Sequence, residues 1–245
     1  MLKLEWLPLA WLRTGMLALT LYFFFPLLSM SLRKVAHKIR LWELHVYYLI
    51  ILFWEIVTVA ILFYLLKLNN LPLETIGLRG RMFFEAIVYV IIGSIIGGIL
   101  YPAVRLLVKV FGWDMYWHRR KDKDWFPRTS GYLMTKRGII SIFFIVVICI
   151  PILEEIIFRG YVLTVLLQNL DSIFVTFILT SLIFASIHFL AGPGFMIFIF
   201  SGTFIMSFLY WKFGNIYPCI LLHSLNTLIG EIIIPIMEKK GKIEE

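Results

Sequence analysis

The chain has 245 residues, of which 61% are hydrophobic and only 16% are charged, whereas a soluble domain is about half apolar and a quarter charged. Its net charge of +8 comes from basic residues that cluster between apolar runs, which indicates contact with anionic lipid headgroups and not with nucleic acid. These values exclude an ordinary soluble domain. They predict an all-α, polytopic transmembrane helical bundle in the lipid bilayer.

Seven apolar runs have about the length of 17–25 residues that crosses a bilayer as a helix. The first run is long for a signal-peptide core and lacks a small-x-small cleavage pattern, so we interpret it as a retained span. The segment 161–170 either extends the fourth run or lies in the membrane interface, and the expected count is therefore about seven, between six and eight. The runs cover residues 14–32, 44–66, 82–104, 138–159, 172–190, 195–211 and 216–237.

No linker divides the chain, so we expect one integrated membrane domain. Residues 1–137 supply N-terminal spans and basic loops, 138–237 form a helical core, and 238–245 form a charged tail. Most Lys and Arg residues fall in the loops after the first and third runs and in the tail. The positive-inside bias then predicts an integral plasma-membrane protein with a cytoplasmic C-terminus.

An ionisable side chain within a membrane span is costly and is therefore a functional candidate. In the fourth run, Glu155 and Arg159 are four residues apart on a helix and can pair directly. Glu154 is rotated away from that pair, so its carboxylate suits a general base. The alternative is that Arg159 neutralises both acids and the cluster serves packing alone.

Two histidine motifs follow in later runs. Phe184 and His188 share a helix face, and His188 is either a proton-transfer group or a hydrogen-bonded core residue. His223 is followed on a similar face by Asn226 and Thr227. A histidine and an amide side by side can stabilise an oxyanion, although membrane helices also use such groups for interhelical hydrogen bonds.

The remaining polar residues and motifs carry less weight. Glu55, Glu85 and Glu231 also lie in apolar runs, but none is predicted to be catalytic. Cys149 and Cys219 read as small buried hydrophobes, with no disulfide expected. The sequence contains no H-E-x-x-H zinc motif, no G-x-S-G in a span and no Asp in a span. Zincin, rhomboid-type and aspartyl intramembrane sites are therefore unsupported.

The order E-E-x-x-x-R, F-x-x-x-H and His with a nearby Asn, each in its own span, resembles the CPBP family of membrane proteases. That family includes CAAX prenyl endopeptidases of the Rce1 type and bacterial bacteriocin-processing or self-immunity proteins. The resemblance covers about residues 135–237, and the compact chain suggests a prokaryotic member.

The resemblance implies a role for each residue. Glu154 would activate water with help from His188, while His223 and Asn226 would bind the oxyanion. Glu155 and Arg159 would brace the first motif, and Phe184 and Thr227 would support the histidines. The family's Asn commonly lies four residues after the His, where this chain has Thr227. Asn226, one residue earlier, would have to substitute for it.

A metal is a separate question. Glu154, His188 and His223 could form a zinc site with an open position. A metal-free reaction is chemically equally feasible and is the one we expect.

The implied substrate is a membrane-anchored peptide, either a prenylated C-terminus or a bacteriocin-type leader. Two alternatives remain open: a non-proteolytic immunity or scaffold protein, and an ion-coupled transporter.

The span limits raise one difficulty. They place Glu154 far from the cytoplasmic side of the fourth span and His188 near the cytoplasmic end of the fifth. A shared site needs similar depths. Either the limits differ from those given, or the segment 161–170 or the turn at Gly192 enters the membrane.

Overall fold

The structure is a computed structural model that describes residues 44–80, 83–113 and 136–239. Within these ranges every regular element is a helix, which confirms the all-α class. The main helices are α1 (Leu44–Leu68), α2 (Phe83–Val110), α3 (residues 136–169), α4 (Ile173–Ser186), α5 (Pro193–Phe213) and α6 (residues 217–239).

Two short 3₁₀ turns and three glycines punctuate these helices. The turn Leu73–Ile76 ends at Gly77, whose φ is 77°, and the turn Phe189–Ala191 ends at Gly192, whose φ is 92°. Helix α5 starts at the next residue, Pro193, and stops before Gly214, which is left-handed with φ 61°. Proline at the first helical position and glycine just past the last one commonly mark the limits of a helix.

Four of the helices are long and apolar enough to cross a membrane, and two shorter apolar helices accompany them. The polytopic architecture is thus confirmed, and the predicted count of about seven is approximate. The predicted first span, 14–32, lies outside the described residues. The long helices contain Tyr48–Leu68, Glu85–Val110, Ile139–Asn169 and Pro193–Phe213, and the shorter ones are Ile173–Ser186 and Tyr217–Ile233.

Two span limits differ from the sequence prediction. The segment 161–170 extends the fourth span, because α3 continues to Asn169. The fifth span, predicted over 172–190, ends at Ser186. Its 14 residues reach only about 21 Å at about 1.5 Å per residue, less than the roughly 30 Å of a hydrocarbon core. The link that carries His188 therefore starts before a full crossing is complete.

Helix α3 contains two wider π-helical stretches on either side of the acidic pair. The first, Phe143–Cys149, precedes Pro151, which has no N–H to continue the α-helical pattern. The second, Ile156–Leu163, begins directly after Glu155 and contains Arg159. Such stretches occur frequently at functional sites because they re-aim side chains within a helix.

The helices pack around α3 and α5. Helix α1 lies against α3, α4 lies against α5, α2 lies against α5 and α6, and α6 also lies against α3. The larger core cluster draws buried side chains from α1, α3, α4, α5 and α6, and includes Leu62, Phe158 and Leu209. Residues Ile142 and Ile232 belong to a smaller cluster between α3 and α6.

The turn before α2 is fixed against α3 and α5 by two glycines. A Cβ atom at Gly160 would lie 3.1 Å from the Cβ of Ile76, so the turn sits directly on α3 at this point. The carbonyl of Gly77 accepts a hydrogen bond from the amide of Ile216 (3.0 Å). A Cβ at Gly77 would meet the ring of Tyr210 at 2.6 Å. These contacts hold the starts of α2 and α6 in register with the acidic motif.

Candidate active site

Glu155 of α3 makes the ion pair with Arg159 that their helical spacing predicts. Arg159 Nη1 donates to Glu155 Oε1 at 2.8 Å, and both side chains are completely buried. The hydrogen bonds of Arg159 go to Glu155 and to the carbonyl of Thr203, while Glu154 lies 3.6 Å from Nε2 of His223. The carboxylate of Glu154 is turned elsewhere.

The guanidinium of Arg159 is held on further sides. Its Nη2 donates to the backbone carbonyl of Thr203 on α5 (3.4 Å), and its Cζ lies 5.1 Å from the ring centre of Phe184 on α4. A cation over an aromatic face is favourable. Arg159 thus joins α3, α4 and α5 at the level of the acidic pair, and Phe184 supports it from α4.

His223 contacts both glutamates from α6. Its Nδ1 hydrogen-bonds Glu155 Oε1 at 2.8 Å, and since a carboxylate accepts, we assign the proton to Nδ1. Its Nε2 lies 3.6 Å from Oε2 of Glu154. One imidazole therefore spans the two acids, with Glu155 fixing the ring orientation and Glu154 facing the opposite nitrogen.

His188 is not on α4, as the predicted span limits implied, but in the link two residues beyond it. The helix ends at Ser186, and the chain turns into Phe189–Ala191. Nδ1 of His188 lies 3.0 Å from the carbonyl oxygen of Phe184, which can only accept, so Nδ1 carries the proton. The neutral ring then has its Nε2 lone pair available. Both histidine rings lie near Phe184, with centroids at 5.1 Å (His188) and 5.9 Å (His223).

Asn226 and Thr227 follow His223 by one helical turn of α6. Asn226 is exposed and Thr227 is half-buried. Both line the same cavity as His223. The predicted proximity of the Asn226 amide to the His223 ring stays a prediction, which the shared cavity lining supports.

A cavity of about 640 Å³ joins these groups. Its volume is within the range of small-molecule sites. The lining includes the four predicted catalytic residues Glu154, His188, His223 and Asn226. Glu154 of α3 and His188 of the link after α4 thus line the same cavity. The link begins at this level because α4 already ends at Ser186. Glu155 and Arg159 lie fully buried behind this wall.

Some residues of the site were missed or given little weight from sequence. Thr203 offers a backbone carbonyl to Arg159, and a backbone contact between distant helices has no sequence signal. Glu55 of α1 is completely buried. Both Glu55 and Glu231 of α6 line the cavity. The sequence signal for these two residues was a carboxylate within an apolar run. Glu85, by contrast, is exposed near the start of α2.

The suggested zinc ligands do not form a metal-binding group. Among the described residues, which include Glu154, His188 and His223, no three His, Cys, Asp or Glu side chains are placed to hold a metal ion. The arrangement therefore does not fit the proposed zinc site, and no step below is routed through a metal. Cys149 and Cys219 are free thiols.

Fold and site together define a polytopic helical membrane protein with a polar centre that three helices and one link assemble around a cavity. Residues 136–229 match the family model of the Rce1-like type II CAAX prenyl endopeptidases. This segment, which contains Glu154, His188, His223 and Asn226, therefore carries an Rce1-like domain, and the resemblance to the CPBP family is confirmed. Neither a curated protein nor a solved structure matches the chain.

Proposed function

We propose that this protein is an intramembrane endopeptidase that hydrolyses a peptide bond of a membrane-tethered substrate. The observation that supports this most directly is the contact of Glu154 with His223, 3.6 Å between Oε2 and Nε2, at a cavity that His188 also lines. Peptide hydrolysis inside a membrane needs a space that admits water and satisfies backbone polar groups. The cavity supplies that space.

The substrate is a peptide held at the membrane by a lipid-like group or an apolar leader. A prenylated CAAX-type C-terminus and a bacteriocin-type leader both fit this description. The match of residues 136–229 to Rce1-like endopeptidases favours the prenylated C-terminus. In either case the scissile bond enters a cavity between helices and not an open surface.

Glu154 begins the reaction as general base. It takes a proton from a water molecule that the Nε2 of His188 also binds, and the water oxygen attacks the carbonyl carbon of the peptide. General-base catalysis of this kind is worth about 10²–10⁴ in rate. Glu155 does not compete for this role, because Arg159 and His223 already occupy its Oε1.

His223 and Asn226 stabilise the oxyanion that follows. Glu155 accepts from Nδ1 of His223, as a buried carboxylate orients the histidine of a hydrolytic triad. In this proposal His223 enters the reaction with both ring nitrogens protonated and keeps both protons throughout, so that Nε2–H donates to the oxyanion and the side-chain NH₂ of Asn226 donates beside it. When the intermediate collapses, the C–N bond breaks and Glu154 returns its proton to the departing amine.

Reconstitution in liposomes with a matched pair of variants tests the proposal. The purified chain is incubated with a prenylated CAAX-type peptide and with an apolar leader peptide, and the products are identified by mass spectrometry. We expect one specific bond to be cleaved, Glu154→Gln to remove the activity, and Glu85→Gln, at an exposed position of α2, to retain it.

Two results would overturn the proposal. Cleavage that persists in Glu154→Gln would mean that another group activates water or that a contaminant is responsible. No cleavage of either peptide class by a folded chain would favour the non-proteolytic alternative. A parallel incubation with a chelator tests the metal-free reaction separately, since the cleavage rate should then be unchanged.

A further inference from the structure

Helices α2 and α5 contact each other at two levels, and both helices carry glycines between these levels. At one level, a Cβ atom at Gly93 of α2 would lie 2.9 Å from a methyl carbon of Leu209 of α5. At the other, the rings of Tyr101 and Phe198 meet edge to face with centroids 6.3 Å apart. These levels are eight residues apart on α2, which is about 12 Å along a helix.

Glycines keep the space between these two contacts open. Gly97 and Gly98 of α2 and Gly202 of α5 lie between the contacting levels, and a Cβ atom at any of the three would meet nothing within 4 Å. All three line the cavity, together with Tyr101 and Phe198. We define Gly97, Gly98, Tyr101, Phe198 and Gly202 as the α2–α5 slot.

The slot is continuous with the catalytic centre through a series of aromatic rings. The ring of His188 lies 6.0 Å from that of Phe195, and Phe195 lies 6.2 Å from Phe198, centroid to centroid. Phe195 and Phe198 line the cavity along with His188. The wall that leads from the catalytic histidine to the slot is therefore aromatic and apolar.

The helices that line the cavity also differ in charge. Among the described residues, no Lys or Arg lines it, and its carboxylates are on α1, α3 and α6. The slot residues of α2 and α5 are all uncharged. An apolar chain therefore fits between α2 and α5, whereas the peptide backbone fits beside Glu154 and His223.

We infer that the α2–α5 slot binds the apolar chain that tethers the substrate and that Gly97, Gly98 and Gly202 set the length and width of chain accepted. This inference rests on the proposed function and assigns a specificity determinant to it. Each glycine leaves out a side chain that would otherwise occupy the slot. A Cβ atom added there enters open space, so we expect added bulk to compete with the bound chain and not with the fold.

Photolabelling tests the slot without depending on cleavage. The probe is a C15 isoprenoid thioether of N-acetylcysteine with a photoreactive group on the chain, added to the full chain in liposomes. Crosslinks should map to residues 94–104 and 195–206 and should be competed by the unlabelled thioether. Gly97→Leu and Gly202→Leu should each weaken labelling by about tenfold, because the new side chain displaces apolar contacts.

A matched control places bulk elsewhere on the same helix. Ile99 of α2 is 70% exposed, so Ile99→Phe should leave labelling of the slot unchanged. A phospholipid that carries the same photoreactive group in its acyl chain distinguishes bilayer lipid from substrate chain. If that lipid labels the slot and the thioether does not compete, a bilayer lipid occupies it and the inference is wrong.

Cleavage assays separate this inference from the proposed function. With peptides of one sequence bearing C10, C15 or C20 chains, both leucine variants should shift the preference towards the shortest chain. If wild type cleaves and Glu154→Gln does not, but the leucine variants keep the wild-type preference and labelling, only the slot assignment fails. If the slot is labelled and blocked as expected but no peptide is cleaved, only the proposed function fails.

Discussion

Two adjacent glutamates on α3 occupy opposite kinds of surroundings. Glu155 is completely buried, and its Oε1 accepts from both Arg159 and His223 at 2.8 Å. Glu154, one residue earlier, lines the cavity and approaches His223 without reaching hydrogen-bond distance. A single residue step rotates a helical side chain by about 100°, which is enough to move a carboxylate from the fully buried ion pair (the dry side of α3) to the wall of the cavity (the cavity side), where Glu154 is still largely buried by neighbouring atoms and only 7% exposed.

Under the proposed function, this difference lets one short motif serve both structure and chemistry. On the dry side, a buried charge is tolerated because it is paired on more than one side. On the cavity side, a carboxylate with fewer fixed partners remains available for proton transfer. Enzymes with paired acids commonly separate their roles through such differences of environment. His223 links the two sides, since each of its nitrogens faces one of the acids.

The largest expected effect separates the two glutamates directly. Glu154→Gln should lower the single-turnover cleavage rate by about 10²–10⁴ while leaving thermal unfolding in detergent close to wild type. Glu155→Gln should lower both rate and stability, because it weakens the bonds to Arg159 and His223. If both variants unfold alike, the two glutamates do not differ in their structural roles.

Removal of the arginine should destabilise the dry side. Arg159→Met leaves Glu155 buried without its ion-pair partner, which costs about 3–5 kcal/mol of unfolding free energy. Arg105→Met, at an exposed position of α2, is the matched control and should have little effect. The double variant Arg159→Met with Glu155→Gln should recover part of the loss, since no unpaired charge remains. Equal stability of the two single arginine variants would contradict this account.

Local geometry explains which parts of the site the sequence predicts. The pair Glu155 and Arg159 follows from helical spacing alone, whereas the bond between Glu155 and His223 joins residues 68 positions apart. No sequence pattern fixes the rotation of α6 against α3, so Glu155 was predicted to brace only its own motif. Hydropathy likewise gave the helices but not their ends, since the apolar run continues past Ser186 although α4 stops there.

The proposed oxyanion donor is Asn226 and not its neighbour Thr227, and variants of the two residues test this assignment. Loss of one such donor costs about 10²–10³ in rate, and the exposure of Asn226 to the cavity places Asn226→Ala near the lower limit of about 10². Thr227→Ala should change the rate far less. Single-turnover rates of both variants, corrected for folded fraction, check this. A larger loss in Thr227→Ala would move the donor role to the position that the family's Asn commonly occupies.

The smallest effect is expected deep on the dry side, where Tyr210 of α5 meets Thr164 of α3. The Thr164 hydroxyl donates to the carbonyl of Arg159 (3.2 Å), so the Tyr210 hydroxyl must be the donor in their 2.9 Å bond. Tyr210→Phe removes that bond, leaves Thr164 satisfied by the carbonyl, and should cost about 1 kcal/mol of unfolding free energy. Thermal unfolding beside the exposed control Tyr64→Phe measures it. Because Tyr210 touches only the scaffold behind the acids, the cleavage rate per folded molecule should stay unchanged, and a loss of rate at unchanged stability would show that the two sides of α3 are coupled.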